Sequence, residues 1–200
     1  MTLSLRERRR QETAFQIHKA TLELAMESGL EDVTTDEIAA ASGVSTRTFF
    51  NYYPNKEAAA IGHPPPFTEA QMDALRDGTG PLAADIKQFL DSHMEALSQR
   101  ADILRMVGKI LRSNEKARGI LDGLLGAERR RLTEALTGRV DNRQTATALA
   151  GIITATIGAA IALWEHEEGI TLGAAMDAVW QAQMDAARLL LSSTGEETGT

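Results

Sequence analysis

The chain has 200 residues and an ordinary hydrophobic content of 43%, with 28 acidic against 21 basic side chains for a formal net charge of −7. It has no cysteine, which excludes disulfides and zinc–thiolate sites. The opening MTLSLRERRRQE lacks the apolar core of a secretory signal, so a cytoplasmic protein is expected.

The length suits one core with a small appended domain, and apolar residues recur at helical rather than alternating spacing, so the fold reads as all-α. Helix 1 is expected from Leu5 to Ser28. Arg6, Arg8, Arg9 and Arg10 cluster at its start, Phe15, Ile17, Ala20, Thr21 and Leu24 mark its buried side, and Gly29 ends it. Thr34, followed three residues later by Glu37, forms a capping box ahead of Ile38, Ala39 and Ala41. Gly43 can take the positive φ of a tight turn. Val44 follows as an apolar plug, and Ser45 caps a second short helix, Thr46 to Tyr53, that stops before Pro54. Two short helices across a glycine turn form a helix-turn-helix, whose second helix enters the DNA major groove.

The side chains of that second helix suit the role. Thr46, Arg47, Thr48 and Asn51 can contact base edges and phosphates, and Tyr52 and Lys56 near the helix end can hold phosphates. Phe49 and Phe50 are expected on the opposite side, packed against neighbouring helices. The full expected DNA-contacting set is Thr34, Thr35, Ser45, Thr46, Arg47, Thr48, Asn51, Tyr52 and Lys56. A plain helical hairpin with a polar face is the bland alternative; capping box, turn glycine and polar reading face together argue against it. Residues 1–60 carry seven basic and nine acidic side chains, so binding must rest on a local positive edge.

The run GVSTRTFFNYYPNKE resembles the signature of the TetR family of bacterial transcriptional regulators, and Ile17, Ala20, Leu24 and Gly29 fall where that family has its first-helix core. The resemblance covers about residues 10 to 62. It departs at Ala14, where many members carry Arg, at Ala25, where many carry Phe, and at Thr35, often apolar. It implies an N-terminal three-helix DNA-binding domain, residues 1–62, followed by a helical ligand-binding and dimerisation domain, residues 63–200. It also implies repression as the default sign of control.

Helix 4 starts at Asn55-Lys56-Glu57 and is cut short by Gly62-His63-Pro64-Pro65-Pro66, because consecutive prolines remove donors and clash with the preceding turn. Thr68 caps a small helix to Arg76, and a loop runs through Asp77-Gly78-Thr79-Gly80-Pro81. Further helices are expected over 82–98, to about Ser113, over 116–136, over 144–164 and over 171–192, with Ser193 to Thr200 a frayed tail. From Gln144 to Trp164 there is no charge for 21 residues, long enough to span a bilayer. Alanine, glycine and threonine supply most of that run, and its large apolar residues form a helical stripe, so a buried soluble helix is the better reading and no membrane partner is expected.

The small-residue face, Ala148, Gly151, Ala155, Ala159 and Ala162, can meet another helix at close range. With Met176, Val179, Trp180, Gln183 and Ala187 of the last helix, it would form the four-helix homodimer interface that the resemblance implies. Two reading heads about 34 Å apart would then fit a palindromic operator. A pocket for a small-molecule effector, apolar or mostly neutral, is expected among Phe89, His93, Met94, Met106, Ile110, Leu125 and Trp164. Catalytic signatures are missing: there is no Glu-x-x-His pair, no phosphate-binding loop and no G-x-S-x-G. His166-Glu167-Glu168 reads as a solvated turn rather than a metal site. The expected protein is therefore a DNA-binding regulator, with no enzymatic activity, cofactor or metal. A ligand-independent architectural dimer is the alternative.

Overall fold

The computed structural model describes residues 4–192; the tail read as frayed, 193–200, lies outside them. Among the described residues the chain forms ten helices and no strand: α1 (Leu5–Ser28), α2 (Thr35–Ala41), α3 (Thr46–Tyr52), α4 (Lys56–Ile61), α5 (Glu69–Asp77), α6 (Leu82–Ser98), α7 (Ala101–Ser113), α8 (Glu115–Leu136), α9 (Arg143–His166) and α10 (Leu172–Ser192). The all-α expectation holds, and the helix ends follow local chemistry. Ser4, Thr34 and Thr68 each close a capping box, with Glu7, Glu37 and Gln71. Each hydroxyl accepts the third backbone N–H while the third side chain accepts the cap's own, so two orphan donors are satisfied at once. Ser45, Asn55 and Asn142 cap α3, α4 and α9 with single side-chain bonds.

The chain divides into two compact units. The first comprises residues 1–65 and 100–126, and the second residues 66–99 and 127–200. The expected boundary is 62/63; the first unit runs to residue 65 and also takes in α7 and the first half of α8.

The first unit has two apolar clusters. One is built from Ala14, Ile17, Val33, Ile38, Ala39, Phe49, Tyr53 and Ala59, which binds α1 to the two helices of the turn. The other joins Leu22, Ala25, Leu30, Ala60 and Ile61 to Ile110 and Ala117, so α7 and the start of α8 pack on α1 and α4. Polar ties follow the same course. Asn114 donates to Glu31 Oε1 at 2.7 Å while its own oxygen caps α8 at Ala117, and Lys116 donates to the buried Glu57 at 2.9 Å.

In the second unit α10 packs on both α9 and α6, and α5 packs on α6. Arg139 fastens the α5–α6 loop by donating to the Leu75 and Gly80 carbonyls and to Asp85. Helix α9 is long and apolar enough to cross a membrane by length and composition. Its Ala146, Ala150, Ile153, Thr156, Ala160 and Trp164 are nevertheless buried within this unit.

Candidate nucleic-acid interface

The turn between α2 and α3 is made by Gly43 at φ 70°, where a residue with a Cβ would be strained. Val44 N–H returns to the Ala39 carbonyl at 3.0 Å, and Ser42 N–H bonds Ile38. These bonds hold α3 against α2 with Phe49 fully buried beneath it. Successive residues of a helix are rotated by about 100°. With Phe49 inward, Arg47, Phe50 and Asn51 lie on the outward side and are exposed, while Thr46, Thr48 and Tyr52 are half-buried at its margins.

The expected contact residues are not equally available. Arg47 and Asn51 are exposed. Thr46 donates its hydroxyl to Asp36 at 2.6 Å, so its one donor is used within the protein and its oxygen can still accept. Ser45 accepts from the Thr48 N–H at 3.1 Å, and the two hydroxyls bond each other at 2.8 Å. Thr34 is occupied by its capping box, where its backbone and then its side-chain hydrogen bond hold the Glu37 carboxyl below the usual range. Thr35 is half-buried at the start of α2. The Lys56 ammonium, read from sequence as a phosphate ligand, donates to the Glu31 carbonyl at 2.6 Å and the Val33 carbonyl at 3.0 Å. It thus closes the loop between α1 and α2, with one donor left over. Phe50 was expected to pack, yet it is 52% exposed.

Beside the reading helix runs a concavity of about 710 Å³ lined by Leu5, Arg6, Arg9, Arg10, Thr13, Thr48, Asn51 and Tyr52. It joins the arginine cluster of α1 to the flank of α3, one positively charged groove contiguous with the exposed face. Sequence spacing alone separates these groups by some forty residues; only the packing of α1 across α3 unites them.

The floor of this unit is held by α4. Tyr53 donates its hydroxyl to the Ala14 carbonyl at 3.1 Å and lies 3.0 Å from His63 Nδ1. Because the phenol proton is used on Ala14, His63 must donate through Nδ1 to the phenol oxygen. Burial pushes the Tyr53 hydroxyl up to about 12, so it stays protonated and able to donate. His18 donates Nδ1–H to the Ala59 carbonyl at 2.7 Å. Burial lowers its pKa against that bond, with His63 and Arg100 adding to the lowering.

The residues expected to line an effector pocket divide between the units. Met106, Ile110 and Leu125 belong to the first, with Ile110 and Met106 in the apolar cluster under α1 and α4. Phe89, His93, Met94 and Trp164 belong to the second and are buried. There Phe67 stands edge-on to both Phe89 and His93, at 4.9 and 4.7 Å between ring centroids. Burial pushes His93 down to about 4, so it is neutral at physiological pH. Of the expected dimer residues, Ala148, Ala155, Ala159, Ala162 and Ala187 are exposed, and Gly151, Val179, Trp180 and Gln183 are half-buried. Gln183 accepts from Thr156 at 2.8 Å, and Met176 is fully buried inside its own unit. Among the described residues, no group of three His, Asp or Glu side chains could hold a metal ion.

The family model for bacterial regulatory proteins of the tetR family matches residues 17–58, the stretch from mid-α1 through the turn into α4. A protein of Mycobacterium tuberculosis named as a mycofactocin biosynthesis transcriptional regulator is 42% identical over 55 residues, 28% of this chain and 28% of that one. The HTH-type transcriptional regulator TcmR of Streptomyces glaucescens is 36% identical over 83 residues, 40% of this chain and 37% of that one. The matched stretches thus span well under half of these relatives' lengths. Over most of the chain the fold resembles that of the transcriptional regulator FadR from Bacillus subtilis, solved with stearoyl-CoA. The TM-score is 0.54 at 22% identity, covering 84% of this chain and 95% of that one. The glycine-turned helix pair with its exposed polar reading face is thus similar, over residues 17–58, to the tetR family of bacterial regulatory proteins, and over the rest of the chain the likeness is one of fold.

Proposed function

We propose that the protein is a repressor that binds a palindromic operator as a homodimer and lets go when a small, largely apolar molecule binds. The observation that carries the DNA-reading part is the concavity in which Arg6, Arg9 and Arg10 of α1 meet Thr48, Asn51 and Tyr52 of α3. In this reading, Arg47 and Asn51 contact base edges in the major groove, while the α1 arginines hold the adjacent phosphates and set the register. One head covers too few base pairs for specificity in a genome, so two heads act together. Support for pairing comes from the exposed small-residue face of α9, on which Ile152 also lies 45% exposed. Effector release would act through α7, which packs with α1 and α4 in the same unit as the reading helix. An effector needs differential affinity for the two states, typically about 1–3 kcal/mol.

The test is to incubate purified protein with fragmented bacterial genomic DNA, recover the bound fragments and sequence them. An inverted repeat with half-sites about one helical turn apart is expected. A stable monomer in sedimentation, or bound fragments without symmetry, would remove the palindromic-dimer reading. A panel of apolar small molecules, and separately a long-chain acyl-CoA, whose tail is apolar and whose headgroup is polyanionic, is then titrated against the protein–operator complex. If no molecule both raises the melting temperature and releases DNA, the protein acts instead as a ligand-independent DNA-binding dimer.

A further inference from the structure

We propose that Phe50 reads the C5-methyl group of a thymine in each operator half-site, beside the base that Arg47 contacts. The inference rests on the DNA-reading function proposed above and adds a specificity residue to it.

Phe50 is 52% exposed on α3, although the rest of the helix's apolar surface is covered. It follows Thr46 by four positions and Arg47 by three, so all three share one stretch of helix surface. Asn51 flanks it on the far side. The ring stands edge-on to the buried Phe49, at 5.2 Å between centroids and 89° between planes, which restricts its swing. An apolar ring is thus held outward in the middle of a set of hydrogen-bonding side chains. A phosphate offers such a ring nothing, because phosphates are bound by donors. The apolar feature that a major groove presents among its donors and acceptors is the thymine methyl, and phenylalanine is among the side chains that contact it. The positive charge of Arg47 and of the groove lined by Arg6, Arg9 and Arg10 favours DNA over an apolar protein surface as the occupant.

Duplexes are first selected from a random pool with the wild-type protein. Each thymine of the selected half-site is then replaced singly by deoxyuridine, which removes the methyl group and keeps every hydrogen-bonding group. Affinities are read by fluorescence anisotropy. One position per half-site should show a loss of about fourfold, the worth of one buried methyl or methylene group. Phe50→Ala should bind the thymine operator more weakly and no longer distinguish thymine from uracil at that position, whereas Phe50→Leu should keep part of the distinction. The proposal is overturned if the wild type tolerates uracil everywhere, or if Phe50→Ala retains the same uracil penalty. Should Phe50→Ala fail to fold, Phe50→Leu is read in its place, and an undiminished uracil penalty in that variant overturns the proposal. If the wild type selects no duplex at all, the DNA-reading function itself is wrong, an outcome distinct from the other two.

Discussion

Gly62→Ala should destabilise the DNA-reading unit far more than Gly43→Ala, although both glycines have positive φ. Gly62 caps α4 at φ 66° and ψ −145°, a region close to one that only glycine occupies, and forcing alanine there costs about 1–3 kcal/mol. A Cβ at Gly62 would also sit 2.6 Å from His18 Nδ1 and 2.8 Å from two ring carbons. His18 has little freedom to give way, because it is buried and bonded to the Ala59 carbonyl at 2.7 Å. Breaking that bond strands buried polar groups, at about 1–3 kcal/mol. The smaller unfolded-state entropy of alanine returns roughly 0.4–1 kcal/mol, which leaves a net loss of about 1–6 kcal/mol. At about 2–4 °C per kcal/mol for a chain of this length, a loss of 3 kcal/mol lowers the melting temperature by roughly 6–12 °C. A Cβ at Gly43 meets nothing within 4 Å, so only backbone strain acts there and the net loss is about 1 kcal/mol. Thermal melts followed by circular dichroism compare the two variants. In a His18→Ala background the penalty at Gly62 should fall toward that at Gly43. Equal melting temperatures for the two single variants would refute the steric role of His18.

Arg47→Ala should weaken operator binding by about 1–3 kcal/mol and relax discrimination at one or two positions, read by gel-shift titration. Lys56→Met should chiefly lower the melting temperature, because it strips two carbonyls of a charged donor. Stability should fall in acid. His93 is pushed from 6.5 to about 4 on folding, so the unfolded state binds more protons between those values; its contribution is whole above about pH 6.5 and is lost as pH falls toward 4. That amounts to about 2 kcal/mol between pH 7 and pH 5, and His93→Leu should flatten that part of the profile in denaturant melts. Ala155→Arg should give monomers or insoluble protein in sedimentation, by placing a charge in the proposed desolvated dimer contact.

The helices were legible in the sequence because their ends are written in short-range chemistry. Thr34 with Glu37, Ser45, and Thr68 with Gln71 cap where hydroxyl-rich starts precede apolar spacing. What covers each apolar face was not legible. Ile110 and Met106 show the same stripe whether they line a pocket or pack under α1 and α4, and periodicity cannot name the partner. The sequence puts Phe50 with Phe49 on the side that packs against neighbouring helices, yet a rotation of about 100° per residue carries it to the open side. Lys56 looked available to phosphate because its partners are backbone carbonyls, which no side-chain pattern reveals. The groove of α1 arginines beside α3 is likewise a product of packing between segments far apart in sequence.

A net charge of −7 opposes DNA binding, and the placement of charge along α1 reduces that opposition at the groove. Arg6, Arg9 and Arg10 lie in its first two turns, whereas Glu23 and Glu27 lie in its last two. From Arg10 to Glu23 the helix rises about 20 Å, at 1.5 Å per residue. That exceeds two Debye lengths at physiological salt, about 8 Å each, so the distant carboxylates subtract little from the field at the groove. Glu7, in the capping box with Ser4, and Glu12, bonded to Gln16 at 2.7 Å, keep their charge and offset part of the arginine field at this end of the helix. If the three arginines bind phosphates, each contact contributes roughly 0.9 to the slope of log affinity against log salt concentration. Combining Arg6→Gln, Arg9→Gln and Arg10→Gln should therefore flatten the slope by up to about 2.7 per head, or about 5 for a dimer. The ranking of operator sequences should not change, because phosphates carry no sequence information. Anisotropy titrations across a salt series test both statements. An unchanged slope would mean that the groove does not hold the backbone, and an altered ranking would mean that these arginines read bases instead.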